Sequence, residues 1–168
     1  GLVVLKRVSD ARADGDRVLA VIRGSACNQD GHSSGLTAPN GPSQVAVIRE
    51  ALANAKVQPS EIDYVEAHGT GTSLGDPIEA RALAEVFAPN RPAEIPLRIG
   101  TVKSNFGHAE SAAGIAGLIK TILALSHGRI PPSLHLKKLN PHIDWSGIAI
   151  DVPVTQVEWN RERGQRLA

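Results

Sequence analysis

Two turns constrain this chain most. Each leads from a β-rich run into a helical one, and each carries a histidine. The first reads Val65-Glu66-Ala67-His68-Gly69-Thr70-Gly71-Thr72 and the second Val102-Lys103-Ser104-Asn105-Phe106-Gly107-His108. Sheets flanked by helices bind ligands outside the carboxyl ends of their strands, at turns of this kind. Two imidazoles placed at such turns, about forty residues apart, could converge on one substrate atom.

The flanking patterns supply the layers. Leu2-Val3-Val4-Leu5 and Val18-Leu19-Ala20-Val21-Ile22 are expected to be strands joined across Asp14-Gly15-Asp16. A polar loop runs from Asn28 to Gly41, and Pro42 suits the first turn of a helix whose buried face is Val45, Ile48, Leu52 and Ala55. Ile62-Asp63-Tyr64-Val65 and Ile99-Gly100-Thr101-Val102 read as strands, with Ile148-Ala149-Ile150-Asp151-Val152 in a tail of short strands and loops. Asp76-Pro77-Ile78-Glu79 reads as an N-cap, a first-turn proline and a capping-box glutamate, opening a helix that buries Ile78, Ala82, Leu83 and Val86. A last helix, from about Glu110 to Ser126, carries Ile115, Leu118, Ile119, Ile122 and Leu125. Its small opening residues admit a close neighbour, and Gly128 with Pro131-Pro132 ends it. Strands alternating with helices give an α/β layer architecture.

Composition narrows the function. The chain has 168 residues, a formal net charge of +1 and 3% aromatic residues, so a single-stranded nucleic acid has few stacking platforms to use. The basic tail Asn160-Arg161-Glu162-Arg163-Gly164-Gln165-Arg166 reads as a solvated end. One cysteine, Cys27, excludes an internal disulfide, and it lacks the helix N-terminus or adjacent base of an activated nucleophile. No apolar run reaches the ~20 residues of a membrane span and no signal-peptide layout opens the chain, so a cytoplasmic protein is expected. The absence of an initiator methionine suggests a piece of a longer polypeptide.

The run Gly69-Thr70-Gly71-Thr72-Ser73-Leu74-Gly75 departs from the dinucleotide fingerprint in its glycine spacing and lacks the Gly-Lys-Ser/Thr of a phosphate loop. Neither histidine belongs to a metal-binding H-E-x-x-H pair, and no metal is expected. His32, His127, His135 and His142 read as surface or packing residues. Asp76 and Glu79 have a structural account as a cap, while Glu79 could also reach Lys103.

His68-Gly69-Thr70-Gly71-Thr72 with Gly75-Asp76-Pro77-Ile78-Glu79, followed by Lys103-Ser104-Asn105-Phe106-Gly107-His108, resembles the β-ketoacyl synthase family. Asn28-Gln29-Asp30-Gly31 with Leu36-Thr37-Ala38-Pro39-Asn40-Gly41-Pro42-Ser43-Gln44 is similar, more specifically, to ketosynthase domains of modular type I polyketide synthases. The resemblance implies a thiolase-like α/β fold, of which this chain is similar to the C-terminal half: a mixed sheet with flanking helices, incomplete relative to the full domain. Residues 1–25 would be connecting strands, and residues 26–168 the C-terminal half bearing both histidine motifs.

The same resemblance implies roles. His68 and His108 would be the catalytic histidines of decarboxylative Claisen condensation, acting as two neutral imidazole N–H donors to the extender's thioester oxygen. Lys103 resembles the family's active-site lysine and Glu79 its ion-pair partner, with Asp76 supporting. Thr70 and Thr72 match positions lining the mouth for the pantetheine arm. The nucleophilic cysteine belongs to the other half and is absent from this chain, so the isolated chain is expected to be inactive. No cofactor is bound directly; phosphopantetheine arrives on the acyl carrier protein. Expected partners are that carrier, the N-terminal ketosynthase half and a second copy in a homodimer, with no nucleic acid and no membrane. The alternatives are a decarboxylating, chain-initiating ketosynthase, a non-catalytic interaction fragment, and a nucleotide-dependent oxidoreductase.

Overall fold

The computed structural model describes residues 1–33, 35, 38–160 and 164–168; Leu36-Thr37 of the polyketide-type motif and residues 161–163 of the basic tail lie outside the described residues. In chain order the elements are α1 (Val8–Ala13), α2 (Gly41–Ala55), β1 (Tyr64–Glu66), α3 (Gly75–Phe87), β2 (Leu97–Gly100), α4 (Lys103–Phe106), α5 (Ala113–His127), β3 (Arg129–Ile130), β4 (Ile150–Asp151) and β5 (Val157–Glu158). Short 3₁₀ turns occupy Pro59–Glu61 and Glu110–Ala112.

The pleat of the strands sets the layers, because successive side chains leave opposite faces. β2 lies between β1 and β4, and both pairings are parallel, with Val65 opposite Ile99 and Leu97 opposite Ile150. Leu97 and Ile99 join Val45, Ala82, Leu83, Val86 and Phe87 in one core, with Val65 and Ile150 packed against it, so α2 and α3 cover that face. Tyr64 points the other way, into a second cluster with Ala124 of α5, Ile130 and Trp159. The result is a helix–sheet–helix sandwich. Antiparallel strands are present too, but they form a separate ladder of β3 with β5. Leu97 is 0% exposed, and truncating it to alanine should cost ~2–5 kcal/mol.

The helix signals hold where they are local. Asn40 caps α2 by accepting the Ser43 N–H at 3.1 Å, and Pro42 sits in the first turn. The Asn40 amide also donates to the carbonyls of Asp30 and His32, which fastens the preceding loop to the helix start. Gly128 ends α5 in the left-handed region at φ 66°.

Four expectations require correction. Residues 2–5 and 18–22 form no strand; strand pairing needs a partner ladder, and neither run has one among the described residues. Leu2, Val4, Leu5, Leu19 and Ile22 are left exposed, and a short helix, α1, lies between the two runs. The strand predicted at Ile99-Gly100-Thr101-Val102 is displaced toward Leu97, to Leu97–Gly100, and the Val102 N–H goes to the Glu66 carboxylate instead of a ladder. On α5 the fully buried residues are Gly117 and Ala124, while the large aliphatics Ile115, Leu118, Ile119, Ile122 and Leu125 are only half-buried. Periodicity located an apolar face, but the sheet packs against the small residues. Finally, the tail is more than a solvated end. Arg166 donates to the carbonyls of Trp159 and Leu125, clamping the end of α5.

Candidate active site

β1 and β2 run parallel and side by side, so the turns that follow them emerge at the same sheet edge. His68 leaves the end of β1, and His108 follows the α4 turn beyond β2. Their rings meet edge to face, with centroids 5.3 Å apart and planes at 81°. Both rings are exposed. The structure therefore brings the two predicted histidines together.

The first loop is held by carboxylates. Glu79 accepts the backbone N–H groups of His68 at 2.7 Å and Gly69 at 2.9 Å, one on each oxygen. Asp76 accepts the Gly71 N–H at 3.0 Å. Gly69 is needed here: its φ is 47°, and a Cβ would stand 2.9 Å from Cβ of Thr101. The Thr101 hydroxyl donates to the His68 carbonyl at 3.3 Å, tying the two loops.

These bonds overturn the capping box. α3 begins at Gly75, its N-cap Leu74 offers no side-chain cap, and Thr72 Oγ1 accepts the Gly75 N–H instead. Asp76 and Glu79 point back into the glycine loop, whose free N–H groups outcompete the helix end. Nor does Glu79 pair with Lys103 among the described residues; its two oxygens accept the His68 and Gly69 N–H groups instead. Lys103 is half-buried at the start of α4. Its carbonyl accepts the Gly107 N–H at 2.8 Å, closing the turn that presents His108.

Beyond that turn, the Glu110 N–H donates to Nδ1 of His108 at 3.0 Å. An accepting Nδ1 carries no proton, so in the neutral ring the hydrogen resides on Nε2. This bond fixes both the tautomer and the ring orientation.

A cavity of about 290 Å³ is lined by His68 and Thr70, with Glu79, Asp76, Gly75, the loop residues Asp30, Ala38 and Pro39, and Gln44 of α2 around it. Thr72 is exposed, its hydroxyl engaged by Gly75. A larger cavity of about 550 Å³ lies beside the same glycine loop and includes Leu83, Ile99, Trp145, His135 and His142, but neither of the paired histidines. Cys27 is a free, exposed thiol. Among the described residues no helix is long and apolar enough to cross a membrane.

One cluster escaped sequence reasoning. Beneath the histidine loops, Lys120 Nζ stands 2.8 Å from Glu66 Oε2 and 2.8 Å from Tyr64 Oη. The Tyr64 hydroxyl donates to the same carboxylate at 2.5 Å, and the other oxygen of Glu66 accepts the Val102 N–H. The Lys120 and Glu66 side chains are 14% and 13% exposed. Burial first, and the Glu66 charge second, push the Tyr64 phenol far above its ordinary range. A lysine inside the otherwise apolar run of α5 was the available signal.

A parallel α/β sheet brings two imidazoles together at one strand edge, with His68 lining the smaller cavity, and the arrangement is that of a candidate active site in an α/β protein. Residues 19–137 match the family described as "Beta-ketoacyl synthase, C-terminal domain". The chain is 63% identical over 159 residues to a phenolphthiocerol/phthiocerol polyketide synthase of Mycobacterium tuberculosis, covering 95% of this chain and 8% of that protein. It is 55% identical over 169 residues to polyketide synthase GfsA of Streptomyces halstedii, covering all of this chain and 2% of that protein. Among solved structures, it is similar to the oxazolomycin ketosynthase domain OzmH KS7 of Streptomyces albus JA3453, with a TM-score of 0.87 and 46% identity over 92% of this chain and 27% of that one. The ketosynthase from module 6 of the bacillaene synthase of Bacillus subtilis 168 superposes with a TM-score of 0.88 and 39% identity, over 95% of this chain and 28% of that one. The chain belongs to the β-ketoacyl synthase family and corresponds to the C-terminal part of a thiolase-like ketosynthase domain of a polyketide synthase. It spans under a tenth of the length of these curated relatives.

Proposed function

We propose that His68 and His108 are the oxyanion donors for decarboxylative condensation in the complete ketosynthase domain, an acyltransferase. The observation that carries this reading is the ring pair itself: centroids 5.3 Å apart, with His108 Nδ1 committed to Glu110 so that Nε2–H is the remaining donor. In the complete domain, a cysteine of the upstream half holds the growing acyl chain as a thioester. A malonyl-type extender arrives on the phosphopantetheine arm of an acyl carrier protein. Its carboxylate leaves as carbon dioxide, and the electron pair of the broken carbon–carbon bond moves onto the thioester oxygen as an enolate. That oxygen gains negative charge in the transition state, and two N–H donors aimed at it lower the barrier. The enolate carbon then attacks the acyl thioester, and the cysteine thiolate departs.

The remaining residues serve this geometry. Glu79 and Asp76 hold the His68 loop, Lys103 closes the turn before His108, and Thr70 and Thr72 border the approach of the pantetheine arm. The division of the chain at about residue 25 and pairing with a second copy belong to the same proposal. So does dependence on the upstream half, without which the isolated chain is inactive.

The test is extender decarboxylation by a complete ketosynthase domain carrying His68→Ala or His108→Ala. Losing one donor should cost about 10²–10³ in rate, while acylation of the upstream cysteine continues. Undiminished decarboxylation in either variant would overturn the assignment.

A further inference from the structure

We infer that Glu66, held by Lys120 and Tyr64, is a positioning residue that sets the separation of the two histidine loops. This rests on the reading of His68 and His108 as paired donors. Three elements meet at one carboxylate. Glu66 is the last residue of β1, immediately ahead of the turn that carries His68. Its Oε1 accepts the N–H of Val102, the residue at which the chain leaves the sheet and enters α4 on its way to His108. Its Oε2 receives Lys120 of α5 and the Tyr64 hydroxyl. α5 is itself the helix that follows His108, whose Nδ1 is fixed by the Glu110 amide just upstream of it. Glu66 therefore joins the root of one histidine turn to the root of the other, and both to the helix behind them.

Stability alone is a poor account of this cluster. Desolvating a buried ion pair costs about as much as the pair returns, and an apolar replacement of similar volume is often neutral or stabilising. What a charge pair supplies, and an apolar pair does not, is directed hydrogen bonding to the Val102 amide. The packing around it is cut to fit. α5 carries glycine at 117, where a Cβ would stand 3.0 Å from Glu66 Cγ.

The experiment uses a complete ketosynthase domain in three forms: wild type, Lys120→Met, and the double variant Glu66→Met with Lys120→Met, an apolar pair of similar volume with no acceptor for the Val102 N–H. Cysteine acylation, extender decarboxylation, KM for the malonyl carrier thioester and thermal midpoint are read on each. The double variant should fold, with a midpoint lowered only modestly by the unpaired Val102 N–H, and acylate normally. It should decarboxylate about 10- to 100-fold more slowly, the penalty of a misplaced reacting group, with KM little changed. Lys120→Met, which leaves the carboxylate without its cation, should show at least the same loss. If Lys120→Met does not fold, the double variant decides alone. Decarboxylation at the wild-type rate in a folded double variant overturns the inference. So does a loss of acylation and decarboxylation in equal measure, which marks a merely structural role. His68→Ala run in parallel separates the two readings: if it too is fully active, the proposed function has failed, whereas an inactive His68→Ala beside an active double variant removes only the positioning role.

Discussion

Gly117 of α5 lies directly against Glu66: a Cβ there would be 3.0 Å from Glu66 Cγ, so a methyl fits only if the glutamate gives way by a few tenths of an ångström. Gly114, one turn earlier and exposed, has nothing within 4 Å of the same construction. The two glycines form a matched pair. Gly114→Ala should stabilise the fold by ~0.5–1 kcal/mol, the ordinary helical gain. Gly117→Ala should lose that gain to overpacking and destabilise by ~1–3 kcal/mol. Chemical denaturation of both variants checks the contrast; equal effects would mean that Glu66 moves aside freely.

Tyr64 is the chain's only tyrosine, so its phenolate absorbance reports one group. Burial and the Glu66 charge raise its pKa above the ordinary 10.0. Above pH 10.0 the unfolded chain then binds fewer protons than the folded one, and stability must fall as pH rises. Below that value the contribution is fully present. An alkaline titration should show phenolate appearing only together with the loss of far-ultraviolet dichroism. Phenolate forming at the ordinary tyrosine pKa in a still-folded chain would contradict this environment.

Glu79 is predicted to matter more for turnover than for folding. Removing its side chain leaves the His68 and Gly69 N–H groups unpaired, but water can reach this half-exposed loop, so Glu79→Ala should cost only ~1–2 kcal/mol. Extender decarboxylation in a complete domain should fall by about 10²-fold through misplacement of His68. Glu79→Gln keeps one acceptor and should lie between. Kinetic measurements beside thermal melts separate these effects.

The isolated chain should self-associate. Leu2, Val4, Leu5, Leu19, Ile22 and Leu123 are exposed, and the half-buried aliphatic face of α5 adds to them. Apolar surface of that extent drives association. Sedimentation velocity should show concentration-dependent species that give way to a defined complex when the upstream half is supplied. A monodisperse monomer at every concentration would count against it.

What could be read in advance was what depends on near neighbours. The 3.6-residue repeat of Val45, Ile48, Leu52 and Ala55, the first-turn proline Pro42 and the terminating Gly128 each act within a turn or two, and each acts as expected. The histidine junctions were legible for the same reason. Competition across distance was not. Asp76 and Glu79 have the spacing of a helix cap, yet unpaired amides in the glycine loop claim them. The Glu66–Lys120 pair joins a strand to a distant helix and leaves no local pattern beyond one charge in an apolar run. Residues 2–5 and 18–22 have strand composition, but a strand also needs a partner, and composition does not say where that partner lies.

β2 is the middle strand of its sheet, and its two neighbours arrive at very different times in synthesis. β1 precedes it closely, but β4 comes only after α5 and the long loop beyond Pro131-Pro132. Pairings distant in sequence close late. The strand from which the His108 turn departs thus keeps one open edge until Asp151 has left the ribosome. A chain cut before Ile150 should therefore keep β1 beside β2 yet leave the His108 side of the sheet half-paired.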